Sequence, residues 1–194
     1  MRKKQNTFSS LELISPIILT LYLCIGFVPN LGAVDKIAPQ WLVMTILNLI
    51  SLFIFFYHRN ILNKLVSPVL YSPMSLTYIV FIIWAGLSFF YSINSVEVVV
   101  NITRQVNVLI MFLSMGIFFY EMKQKSLFFS WIITIILAIE IYFVLDQLLE
   151  LLNTTGNISK RASLKGVAAN PNITAFSIVN KLPFVIYLLL KSKR

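Results

Sequence analysis

Three stretches of this chain carry no charged residue at all: residues 13–34 (22 positions), 37–57 (21 positions) and 65–96 (32 positions). About 20 consecutive apolar residues are enough to cross the hydrocarbon layer of a bilayer as a helix. A soluble fold has no use for several such runs, because it needs charge on its surface. The composition agrees: 58% of residues are hydrophobic and only 12% charged, against about 25% in an ordinary soluble domain. Sixteen Phe, eight Tyr and three Trp stand against seven acidic residues. This excludes a disordered chain, a nucleic-acid-binding domain and an ordinary cytosolic enzyme. The solvent for most of the chain is lipid, and the bilayer is its first partner.

The third uncharged stretch is too long for one span. Pro68, Ser72 and Pro73 interrupt it, so a helix is predicted from 74 to 92. The other spans are predicted at 13–33, 41–57, 98–120, 127–148 and 171–190. The expected fold is all-α: a polytopic transmembrane bundle of six spans forming one domain over residues 1–194. The basic start, Met1-Arg2-Lys3-Lys4, also resembles a signal peptide. The apolar run after it is longer than a usual signal core and more spans follow, so it reads as a retained first helix. Cys24, the only cysteine, excludes an intramolecular disulfide and a multi-cysteine metal site.

Positive residues collect in cytoplasmic loops, so the formal charge of +9 reports orientation before it reports a ligand. With the N-terminus inside, the cytoplasmic segments hold Arg2, Lys3, Lys4, Arg59, Lys64, Lys123, Lys125, Lys191, Lys193 and Arg194. Both termini are therefore expected in the cytoplasm. Lys160, Arg161 and Lys165 break the rule, because they fall together on the outer side.

The segment that follows them offers a reason. Asn170 is a favourable cap and Pro171 a favourable first helical residue, so a helix is predicted to open there. Its first-turn N–H groups beside Lys and Arg would suit an anion, above all phosphate. Gly166 would let the backbone approach a bulky ligand closely. A solvated loop ahead of an ordinary capped helix is the alternative.

The stretch Arg161-Ala-Ser-Leu-Lys-Gly-Val-Ala-Ala-Asn-Pro-Asn-Ile-Thr-Ala175 resembles the motif region of bacterial O-antigen ligases and polymerases. There an Arg and a Gly precede an Asn-Pro-Asn-like opening of a helix. A second stretch, Trp84-Ala-Gly-Leu-Ser-Phe-Phe-Tyr-Ser-Ile-Asn-Ser-Val-Glu97, resembles the close of an early span in the same family. The resemblance implies a glycosyltransferase of the inner membrane, moving glycan from undecaprenyl pyrophosphate on the periplasmic face to lipid A-core or to another glycan chain. It implies no metal and no cofactor. Carried over, Arg161 would hold the pyrophosphate, with Asn170 and Asn172 as polar support. Lys165 joins them by charge and position, and Arg104 is a further candidate phosphate contact.

The chain departs from that family in two respects. Family members have more spans, and a long periplasmic loop in their second half carries a functional His. The sole histidine here, His58, falls on the predicted cytoplasmic side beside Arg59. The chain is therefore expected to be the N-terminal half of a longer protein, with its catalytic residues unknown.

Glu140 and Lys181 lie inside predicted spans. A charge at that depth is costly unless it faces the bundle and finds a partner, which predicts a Glu140–Lys181 pair. Asp146 and Glu150 share a helix face, either as a solvated helix end, as partners of Lys160 or Arg161, or as cation ligands. Glu97, Asn101, Arg104 and Gln105 make one polar stripe by spacing. Pro183 is expected to kink the last helix. A second functional reading follows from the in-span charges alone: a non-catalytic transporter or assembly component with Glu140 and Lys181 as its polar core.

Overall fold

The computed structural model describes residues 10–29, 32, 35, 37–122, 124–155, 164, 166 and 171–192. Among them it is all-α, with no strand. Seven α-helices follow in order: α1 (Ser10–Leu23), α2 (Ala38–Tyr57), α3 (Arg59–Leu70), α4 (Pro73–Leu87), α5 (Ser95–Glu121), α6 (Lys125–Thr155) and α7 (Pro171–Ser192). They form two compact units, residues 1–123 and 124–194. In the first unit α5 packs against α1, α2, α3 and α4; the second is a hairpin of α6 and α7.

Five helical stretches are long and apolar enough to cross a bilayer: Ala38–Tyr57, Pro73–Phe90, Ser95–Tyr120, Lys125–Asn153 and Pro171–Ser192. They match the second to sixth expected spans. The first expected span, 13–33, is cut short. Helix α1 ends at Leu23, and a single 3-10 turn, Ile25–Phe27, follows it. Val28 is extended, the conformation that the next residue, Pro29, imposes on its predecessor. Among the described residues α1 covers 14 positions, about 21 Å of helix.

Burial differs from that of a soluble protein, although an apolar core that includes Leu19 and Phe118 is present. Several fully buried side chains are small and polar: Ser15, Ser51 and Ser75 have no exposure, and Ser114 only 1%. Large apolar groups face outward, including Phe53, Trp84 at 71% and Phe90 at 83%. Helix α4 buries little besides Ser75. That is the pattern of helices solvated by lipid, where small residues let backbones approach and no hydrophobic force favours burying Leu or Phe. Some of the buried hydroxyls are satisfied within their own helix: Ser15 Oγ donates to the Leu11 carbonyl at 2.7 Å, and Ser130 Oγ to that of Ser126 at 2.7 Å.

Helix boundaries follow ordinary capping chemistry. Ser72 caps α4, its Oγ accepting the Ser75 N–H at 3.2 Å, with Pro73 at the first helical position. Asn94 caps α5 through the Glu97 N–H at 3.2 Å. Helix α7 starts at Pro171 as expected and continues through Pro183.

Helix α3 is the element that the uncharged-run reading passes over. It begins directly after His58 and runs through Pro68 before the α4 cap. It lies close to α5 at Gly116, where an added Cβ would come within 2.8 Å of a Val69 methyl.

Candidate functional site

Two polar clusters lie among the otherwise apolar helices, one in each unit. The first joins α1, α2 and α5. The Tyr22 hydroxyl donates to Asn48 Oδ1 at 2.8 Å, and Ser51 Oγ lies 2.9 Å from it. A phenol has one proton to give, so Ser51 is the donor in that second contact. Asn48 Nδ2 donates to the Asn107 carbonyl at 2.9 Å and to Asn107 Oδ1 at 2.5 Å. Asn107 Nδ2 donates to Thr45 Oγ1 at 2.8 Å, and Thr45 Oγ1 donates to the Trp41 carbonyl at 2.8 Å. These bonds run as one directed chain from the buried Tyr22 to the head of α2, and each link fixes the orientation of the next.

At that head the chain meets a charged pair. Arg104 Nη2 donates to Asp35 Oδ2 at 2.9 Å, and Asp35 Oδ1 accepts the Ile37 N–H at 3.1 Å. The Arg104 guanidinium also sits 5.6 Å from the Trp41 ring centroid. An open cleft of about 370 Å³ follows, lined by Ala38, Trp41, Thr45, Thr103, Arg104, Val106, Asn107 and Ile110. An aromatic face, a guanidinium, two hydroxyls and an amide converge on it, as in small-molecule sites where a few fixed polar groups set orientation.

The second cluster is the expected charge pair. Lys181 Nζ lies 2.7 Å from both carboxylate oxygens of Glu140, and Ser177 Oγ donates to the same carboxylate at 3.3 and 3.4 Å. Lys181 also contacts Ser177, one turn earlier on α7. The side chains of Lys181 and Glu140 keep only 19% and 14% of their exposure. Two opposite charges with a hydroxyl between them satisfy one another where lipid offers nothing.

The remaining expectations divide. Arg161, Lys165 and Asn170 lie outside the described residues. Asn172 stands in the first turn of α7, exposed. Gly166 is left-handed, at φ 53°, and its N–H donates to Gln147 Oε1 at 2.9 Å. A Cβ there would meet the Thr174 side chain at 2.6 Å, so glycine permits a close approach to the first turn of α7.

The stripe Glu97, Asn101, Arg104 and Gln105 does not act together. Glu97 belongs to the α5 cap, Arg104 turns to Asp35, and Gln105 Oε1 accepts from the Tyr78 hydroxyl at 2.5 Å. Helix α5 is surrounded, so its spacing-defined face is divided between neighbours. Among the described residues no three His, Cys, Asp or Glu side chains gather as a metal site. Sequence reading missed Asp35, Trp41, Asn48 and Asn107. Polar residues at 45, 48 and 107 inside predicted spans were the available signal.

The long apolar helices, the outward-facing large apolar side chains and the buried serines define a multi-pass α-helical membrane protein. No protein-family model, no curated protein and no solved structure matches the chain.

Proposed function

We propose that this protein is an O-antigen ligase- or polymerase-like component of the bacterial cytoplasmic membrane, acting on glycan carried by undecaprenyl pyrophosphate at the periplasmic face. The observation that carries the reading is the start of α7 at Pro171. The Asn-Pro-Asn run thus opens into a helix, whose first N–H groups and positive dipole end suit an anion. Arg161 and Lys165 precede it in sequence and supply positive charge, with Asn170 and Asn172 as polar support. Cations at a leaving pyrophosphate stabilise the charge that develops as the glycosyl bond breaks, and a planar guanidinium does so bidentately. Arg104, paired with Asp35 at 2.9 Å, stays a further candidate phosphate contact.

Arg161→Ala in the full-length protein tests the reading by surface-glycan ladders on a gel. Loss of the ladder at normal expression is expected; a normal ladder removes Arg161 from the role. In a Cys24→Ser background, a cysteine placed at Ser163 should react with impermeant thiol reagents from the periplasmic side. Protection there would overturn the orientation.

A second reading, a non-catalytic transporter or assembly component, is favoured by one observation: the Glu140–Lys181 pair is closed on itself, as a polar core would be. It predicts intact glycan ladders in the Arg161→Ala strain.

A further inference from the structure

Asn180 stands near the middle of α7, on its exposed side. It is the tenth of the 22 residues of that helix, about 14 Å from Pro171 and about 18 Å from Ser192, close to the centre of the hydrocarbon. Among the described residues it makes no hydrogen bond. Other amides within the spans have partners: Asn48 and Asn107 bond to each other, and Gln105 accepts from the Tyr78 hydroxyl. Lipid offers an amide neither donor nor acceptor. An amide turned outward at this depth therefore carries a cost that a neighbouring helix can recover.

Pro183 adds a second unmet group. It has no N–H, so the Val179 carbonyl lacks the bond that a regular helix would give it. That carbonyl opens towards Pro183, three residues on from Asn180 and on the same side, and Val179 and Pro183 are both exposed. Membrane helices tolerate a freed carbonyl where a neighbour re-satisfies it. Donors and an acceptor thus lie together at one depth, in a row otherwise formed by the exposed Phe176, Pro183 and Tyr187.

We propose that this face of α7 packs on the same face of a second copy, with the two Asn180 amides bonded across a two-fold axis normal to the bilayer. Two copies inserted in one orientation are related by such an axis, and a residue beside it meets its own counterpart. An amide suits that position because it carries two donors and an acceptor, so it complements itself. The second donor is left for the Val179 carbonyl. Any other helix would need a polar group of its own at this depth; a second copy has one there by identity. Lys181 does not compete for the amide, because both carboxylate oxygens of Glu140 hold it at 2.7 Å against α6. The contact stands whether or not the chain transfers glycan.

The test uses the full-length protein in phosphatidylcholine bilayers, with Phe176→Cys in a Cys24→Ser background. Phe176 is exposed one turn before Asn180 on the same row, and oxidation there should link the chains into covalent dimers. Leu182→Cys, exposed on another side of α7, should leave them monomeric. Association without cross-linking is followed by energy transfer between terminally labelled copies as lipid dilutes them. Asn180→Leu should weaken it by about tenfold, the loss of one interhelical hydrogen bond. Asn180→Gln, which keeps an amide, should retain most of the affinity. Asn180→Leu should also keep the parent's helix content by circular dichroism, since the amide bonds to nothing in its own chain. A monomer at every dilution, equal affinity or lost helix content in Asn180→Leu, or linkage at Leu182 matching that at Phe176 would overturn the proposal. Glycan ladders are scored separately, so failed glycan transfer and failed association remain distinguishable.

Discussion

The two units meet the same difficulty, polar atoms inside apolar helices, by different means. The first unit links neutral groups, Tyr22, Asn48, Ser51, Asn107 and Thr45, in a chain where nearly every proton has a stated acceptor. The second uses full charges, Glu140 and Lys181, with Ser177 between them. Neutral networks fail in part, because a broken link leaves one amide or hydroxyl unsatisfied. An ion pair fails all at once, because loss of either partner leaves a whole charge facing lipid.

The largest effect should come from breaking the pair. Lys181→Met should lower folding stability by about 3 kcal/mol, the scale of one uncompensated charge within a membrane helix. Glu140→Gln should behave alike, and the double neutral variant should recover most of the loss. Denaturant titration in mixed micelles reads all three. If the double variant is as unstable as the singles, the pair is not what the charges are for.

In the first unit, Asn48→Leu removes the hub between Tyr22 and Asn107 and should cost about 1–2 kcal/mol. A cost equal to that of Lys181→Met would erase the distinction between the units. Gly166→Ala asks whether backbone strain rivals either cluster. A left-handed φ and a 2.6 Å approach to Thr174 predict a loss of about 1–3 kcal/mol, read as earlier unfolding of the α6–α7 hairpin. Thr45→Val should have the smallest effect, below about 1 kcal/mol, because it removes an acceptor at an exposed end of the chain.

The same contrast governs what could be read from the sequence. Charge absence is a strong signal, so five spans and their order were legible, and two charges inside predicted spans stood out enough to be paired. Neutral polar residues leave no such mark. Asn48 and Asn107 are 59 positions apart and Asp35 and Arg104 are 69 apart, and nothing local to any of them announces its partner. Helix α3 was hidden because Arg59, Asn60, Asn63 and Lys64 interrupt its apolar residues and Pro68 lies within it. Pro29 accounts for the extended Val28, but the end of α1 at Leu23 falls within an unbroken uncharged run. For the candidate site, the aromatic and hydroxyl groups of the α2–α5 cleft were individually visible, but only the pairing of helices α2 and α5 brings them together.

One exchange tests the central claim, that these helices are solvated by lipid and that the second unit is held in register by a charge pair within it. Glu140→Lys and Lys181→Glu are made singly and together, and stability and membrane insertion are measured for all four combinations. Each single variant places two like charges at the same depth and should be strongly destabilised. The double variant restores opposite charges and should return to within about 1 kcal/mol of the parent, giving a large favourable coupling. Additive losses, with the exchanged protein worse than either single variant, would contradict the account.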